Sequence, residues 1–348
     1  MSSDVVFYVV KVLLLPALLG LSVGGIGVLM VARCAEADRA PVVRWAQFGQ
    51  TLAAPFAFIA SFLLEAGPVG LPPAERWHVL PYAVGAAAIV GAIVSRKHSA
   101  WWAQWSIVAA ILGGFAWKYV VFPASNPYIQ AGLLVAIILV GLLWSAVSRD
   151  ACSVGMAMMS AIVFAGLGVL MVLANFASLG VIAFAVAAAL AGVGMVSGVL
   201  NLREATRLRA AAPVPEPGAD TMVKAVASGA ECPAEAMCEL VPWTAAGVTT
   251  LAAIACVLAF CGHAYNYGDV RPGHWAVILL SPFFALLVCK PCLRGAKPIV
   301  GVAWRSGLCL VVVLATLANA VSQGVDGDDT DGGASGSDPM MDMFEESK

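Results

Sequence analysis

Charge is scarce in this chain. Of 348 residues, 11% are Asp, Glu, Lys or Arg and 61% are apolar, with a mean hydropathy of +0.90. Soluble globular domains carry about 25% charged and about 45–50% apolar residues. The shortage excludes a water-soluble enzyme, a disordered protein and a nucleic-acid binder of ordinary kind. Period-two alternation is missing too, which argues against a transmembrane β-barrel. So are the P-loop, GxGxxG, HExxH and nucleophile-elbow patterns, and no cofactor is implied. What remains is an all-α polytopic membrane protein, because only a bilayer solvates this much apolar surface.

A helix crossing the hydrocarbon layer of roughly 30 Å needs about 20 residues. Ten segments qualify: 12–32, 46–64, 79–95, 101–121, 128–148, 152–174, 178–200, 243–264, 275–289 and 298–320. Charged or Pro/Asn-containing breaks separate most of them, such as Arg96-Lys97-His98 and Arg149-Asp150. The ninth is short and contains Pro282, so a thin crossing or a re-entrant segment is expected there. Only Asn175 marks the boundary between the sixth and seventh. The ten tryptophans all fall near proposed span ends. That placement suits an indole ring that is half apolar and half wet. Together, 1–320 is expected to form one bundle of about ten transmembrane helices.

Lys and Arg in short loops set orientation. Thirteen of the nineteen lie in odd-numbered loops: Arg33, Arg39, Arg44, Arg96, Lys97, Arg149, Arg203, Arg207, Arg209, Lys224, Lys290, Arg294 and Lys297. Those loops are expected on the cytoplasmic side of a bacterial-type inner membrane, with both termini outside. Lys11 then snorkels to the outer surface. A cleaved signal peptide ending near Ala35-Glu36-Ala37 is disfavoured. The apolar run after Lys11 is longer than the usual 7–15 residues of such a signal, about twenty.

Two segments leave the membrane. The insert 201–242 opens with Arg203, Arg207 and Arg209, a helical continuation facing lipid phosphates, and then breaks at Pro213, Pro215 and Pro217. It is too short to build a core of useful size, so a surface hairpin or a docking patch is expected rather than a catalytic domain. The tail 321–348 carries Asp326, Asp328, Asp329, Asp331, Asp338, Asp342, Glu345 and Glu346 in Gly/Ser-rich sequence. It has little to bury against the entropy of ordering, so disorder is expected. Its Asp326–Asp331 stretch lacks the closing Glu of an EF-hand.

No carboxylate falls in mid-span; Glu65 sits at a boundary. Ion-coupled transporters usually keep one inside. The intramembrane polar groups reduce to Gln47, Gln50, Thr51, Gln104, Thr249, Thr250 and scattered serines, with Arg305 read as interfacial. Small residues are more ordered. Ala17, Gly20, Gly24 and Gly27 line one face of the first span, and Gly180, Ala183, Ala187, Ala191, Gly194 and Gly198 one face of the seventh. Such stripes let helix backbones approach closely where no hydrophobic drive exists.

Of nine cysteines, Cys256, Cys261 and Cys309 lie inside spans and read as small apolar residues. Cys289 and Cys292 form a CxxC, with Cys232 and Cys238 in the preceding soluble insert. Three readings stay open: a redox pair, a four-thiolate zinc clip, or unrelated thiols. A reducing cytoplasm favours the last. His263 and His274 invite a surface metal site, against which plain interfacial solvation is the simpler account. Two groups of five spans invite comparison with transporters built from inverted five-helix repeats, though no residue-level match joins the halves. The leading expectation is a non-enzymatic structural or accessory subunit that packs against other membrane subunits or copies of itself. A permease for a small neutral or lipid-like solute comes second, and a thiol–disulfide oxidoreductase using Cys289 and Cys292 third.

Overall fold

The computed structural model describes residues 3–34, 39–68, 76–96, 105–111, 127–211, 240–264, 270–292 and 298–328. Among them there is helix and turn but no strand. The order is α1 (Ser3–Val9), a π-helical turn (Val10–Leu14), α2 (Leu15–Arg33), α3 (Arg39–Ala66), α4 (Leu80–Arg96) and α5 (Pro127–Asp150). There follow α6 (Ser153–Leu173), α7 (Ala177–Ala211), α8 (Ala245–Ala264), α9 (Pro272–Cys292) and α10 (Pro298–Asp328).

Eight helices of the described residues are long and apolar enough to cross a membrane. They fall on eight of the ten expected segments. The fifth is the 24-residue α5. The fourth lies largely outside the described residues, with only 105–111 seen as helix. The chain is therefore a multi-pass helical bundle.

Three expectations need correction. First, the ninth segment is neither short nor broken: α9 runs unbroken for 21 residues. Pro272 starts it, and a proline in the first turn sacrifices no hydrogen bond. Pro282 is tolerated because a packed bundle supports the helix around it. Second, α10 continues to Asp328, past the expected end at 320. Its last turns are tied by Gln323 Nε2 donating to Asn319 Oδ1 at 2.6 Å and Ser322 Oγ donating to the Asn319 carbonyl at 2.9 Å. Residues 329–348 of the expected tail lie outside the described residues. Third, the tryptophans near span ends do not all face outward. Trp45 and Trp304 are exposed, but Trp144 is wholly buried and donates Nε1 to the Leu279 carbonyl at 2.9 Å. Trp105 lies directly over Gly141, where a side chain would collide with the indole.

Local chemistry explains the joints. Pro16 has no N–H, so the Val12 carbonyl loses its ordinary partner four residues on. Here the helix loosens into the π-turn, and Ser61 Oγ of α3 donates to that carbonyl at 2.7 Å. Asn175 takes a left-handed backbone, φ 60°. The Asn175 N–H then reaches the Val172 carbonyl at 3.1 Å and the Phe176 N–H the Met171 carbonyl at 2.8 Å. This pair of bonds is a Schellman cap, and it closes α6 before α7 begins.

α8 is the axis. It packs against α3, α4, α5, α6, α7 and α9, and 89% of its apolar window is buried, against 17% for α10. An α10 this exposed presents Trp304, Val311 and Leu314 outward. α7, at 35 residues, is about 52 Å long at about 1.5 Å per residue. That exceeds the hydrocarbon core by about 20 Å, so its Arg-bearing end projects.

Candidate functional site

The small residues of α2 lie where helices meet most closely. A Cβ on Gly20 would stand 2.6 Å from the Ala53 carbonyl oxygen of α3 and 2.9 Å from Ala189 Cβ of α7. One on Gly24 would meet Val193 Cγ2 at 2.7 Å, and one on Gly27 would meet Ala46 Cα at 2.7 Å. Ala17 is buried on the same face. On α7 the stripe serves another seam. Gly180 and Gly168 of α6 oppose each other, each Cβ position within 3.0 Å of the other's carbonyl oxygen. Gly194 faces Ala157 at 3.2 Å, and Gly198 meets Val154 more loosely at 3.6 Å. Ala183 and Ala187 are buried and Ala191 half-buried. The two stripes therefore do not face each other. α2 meets α7 through Ala189, Gly192 and Val193, which the spacing argument missed because they lie off the stripe. Every one of these approaches is within the chain.

Some of the buried polar groups are spent on the bundle itself. Gln47 Nε2 donates to the Pro242 carbonyl at 3.1 Å, and Thr51 Oγ1 to the Gln47 carbonyl at 2.9 Å. Thr249 and Thr250 return their hydroxyls to carbonyls of their own helix. Gln50 is 1% exposed, with Oε1 unpartnered among the described residues. Gln104 lies outside the described residues. Arg305 donates to the Asp150 carbonyl, at the corner joining α5 to α6.

Cys289 is a buried thiol in the last turn of α9, and Cys292 ends the same helix. Cys232 and Cys238 lie outside the described residues. Among the described residues, no group of three or more His, Cys, Asp or Glu is placed to hold a metal. His263 is exposed and His274 buried.

Contacts sort the bundle into two ends. At one, Arg39 pairs with Glu204 at 3.0 Å, Gln47 meets Pro242, Trp243 Nε1 donates to the Ser153 carbonyl at 3.0 Å, and Arg305 meets Asp150. These residues come from odd-numbered loops or the span ends beside them. At the other end Glu65 accepts from Tyr8 Oη at 2.6 Å and Ser178 Oγ at 2.8 Å, stapling α1, α3 and α7. Trp77 packs edge-on against Phe176 there, ring centres 5.5 Å apart.

A cavity opens at each end. At the odd-loop end, an open cavity of about 430 Å³ lies between α5 and the start of α8, lined by Leu142, Ser145, Ser148, Arg149, Pro242 and Trp243. At the other, about 360 Å³ lies between α9 and α10, beside Arg271, His274, Thr316 and Asn319. Gln47 and Gln50 line neither. No protein-family model matches this chain, and neither a curated protein nor a solved structure does.

Proposed function

We propose that this is a non-enzymatic structural or accessory subunit of a cytoplasmic membrane, with both termini outside. The observation that carries the reading is α8. A permease needs a path along the bundle axis, and here an uncharged, almost wholly buried helix fills that axis. Gln47 and Thr51 beside it bond to nearby backbone, and glycine contacts bring α2, α3 and α7 to within van der Waals distance. Such a body is built to be rigid rather than to open. Its unused surface then serves assembly. The insert within 201–242 and the acidic tail offer docking segments to another membrane subunit or a second copy, and the lipid bilayer is the remaining partner.

The test is purification of the full chain from its native membrane in mild detergent. A defined complex or homo-oligomer of fixed stoichiometry is expected. Reconstituted vesicles should show no solute flux above protein-free vesicles. A protein that runs as a monomer and passes small neutral solutes overturns the reading.

A further inference from the structure

The cavity at the odd-loop end has a graded lining. Leu142, Ser145, Ala146 and Arg149 stand at i, i+3, i+4 and i+7 on α5, one face of the helix, and all four line the cavity. Over those seven residues, about 10 Å of helix, the surface passes from alkyl to hydroxyl to guanidinium. Across from it stand Pro242, Trp243 and Ala245 at the start of α8. Ser145 is 7% exposed, yet its Oγ has no hydrogen-bond partner among the described residues. A buried hydroxyl left unmatched carries a penalty that a ligand acceptor would remove. Arg149 is exposed and in no ion pair among the described residues. Ser148 and Trp243 are already committed, to the Ser145 and Ser153 carbonyls, and so hold the walls.

We propose that this cavity is a binding site for an anionic phospholipid, with the headgroup phosphate on Arg149 and the ester region at Ser145. The chemistry recognised is a phosphate anion, and three features favour a lipid as its source over free phosphate. The cavity exceeds a phosphate ion many-fold, since 430 Å³ equals roughly fourteen waters of about 30 Å³. Its lining includes the apolar side chains of Leu142, Ala146, Pro242 and Ala245. Trp243, half-buried on the opposite wall, is the side chain that most prefers the headgroup depth. The gradient along α5 thus runs in the same direction as the gradient along a lipid, from chain to ester to phosphate. Planar guanidinium suits phosphate through paired N–H donors.

Native mass spectrometry of the intact chain in mild detergent tests the assignment, titrating phosphatidylglycerol, phosphatidylcholine or inorganic phosphate. Wild type should retain one phosphatidylglycerol in preference to phosphatidylcholine, and millimolar inorganic phosphate should not displace it. Arg149→Gln should weaken retention about tenfold, the loss of one charge-assisted hydrogen bond. Ser145→Val, which removes the hydroxyl and keeps the charge, should weaken it as well. Arg33→Gln removes an exposed cation of the same end that does not line this cavity and should change nothing. Equal losses in Arg149→Gln and Arg33→Gln, no preference for the anionic lipid, or displacement by inorganic phosphate would each overturn the proposal.

Discussion

Ser61 shows how one residue compensates for another. Pro16 removes an N–H, the Val12 carbonyl is orphaned, and the Ser61 hydroxyl takes its place across a helix interface. Interhelical hydrogen bonds in membranes are worth about 0.6 kcal/mol on average and about 1.7 at most, because the unfolded segments find other partners. Ser61 should sit near the upper figure, since Pro16 takes away the ordinary donor of the carbonyl it serves and both residues are buried. Ser61→Ala is therefore expected to lower stability by about 1.5 kcal/mol in a detergent-denaturation titration. In a Pro16→Ala background the backbone N–H returns, and the same change should cost under about 0.5 kcal/mol. Equal costs in both backgrounds would show that Ser61 acts through packing alone. None of this is legible in the sequence. Pro16 announces a missing donor, but which of many serines answers it depends on how α3 lies against the first helix. Gly20, Gly24 and Gly27 were legible as a stripe, because their period is a local property. What they touch was not.

At the next level up, the joint between α6 and α7 rests on a single left-handed residue. Asn175 was the one mark of that boundary in the sequence, and the marking had a physical basis. Among residues with a side chain, Asn tolerates positive φ best. Asn175→Gly is expected to leave stability unchanged or raise it slightly. Asn175→Val should cost about 1–2 kcal/mol, the penalty of forcing a β-branched residue into that region. Thermal unfolding followed by circular dichroism separates the two, and a tolerated valine would mean that the cap is not what holds the turn. Other elements resist the same reading for opposite reasons. α9 looked too short because Pro272 and Gly273 read as loop, whereas a first-turn proline belongs inside the helix. α10 looked too short because Gly324 and Asp326 read as tail, whereas a helix already propagating extends through residues that would not start one. Trp144 and Trp105 looked interfacial by position along the chain. Their burial depends on which neighbour faces them, a matter of tertiary packing that hydropathy does not encode.

For the molecule entire, relative placement and absolute orientation are separate questions. Relative placement follows from contacts. Arg39 with Glu204, Trp243 with Ser153 and Arg305 with Asp150 gather the odd-loop ends of α3, α5, α6, α7, α8 and α10 together. Tyr8 with Glu65 puts the start of α1 at the opposite end, as Asn319 beside Arg271 does for the end of α10. Both ends of the described chain thus emerge on one side, and one measured loop fixes all the others. For the side that faces the cytoplasm charge gives the expectation, because Lys and Arg resist translocation while Asp and Glu contribute little. Thirteen of nineteen Lys and Arg fall in the odd-numbered loops of the sequence, and the acidic tail has no vote. A green fluorescent protein placed between Pro217 and Cys232 is expected to glow, and one at the C-terminus to stay dark. Alkaline phosphatase at the C-terminus should be active. The inverse pattern would place Arg203 and Arg294 outside, against the charge bias. It would also put Cys289 and Cys292 in an oxidising compartment, where a disulfide between them becomes the stable form.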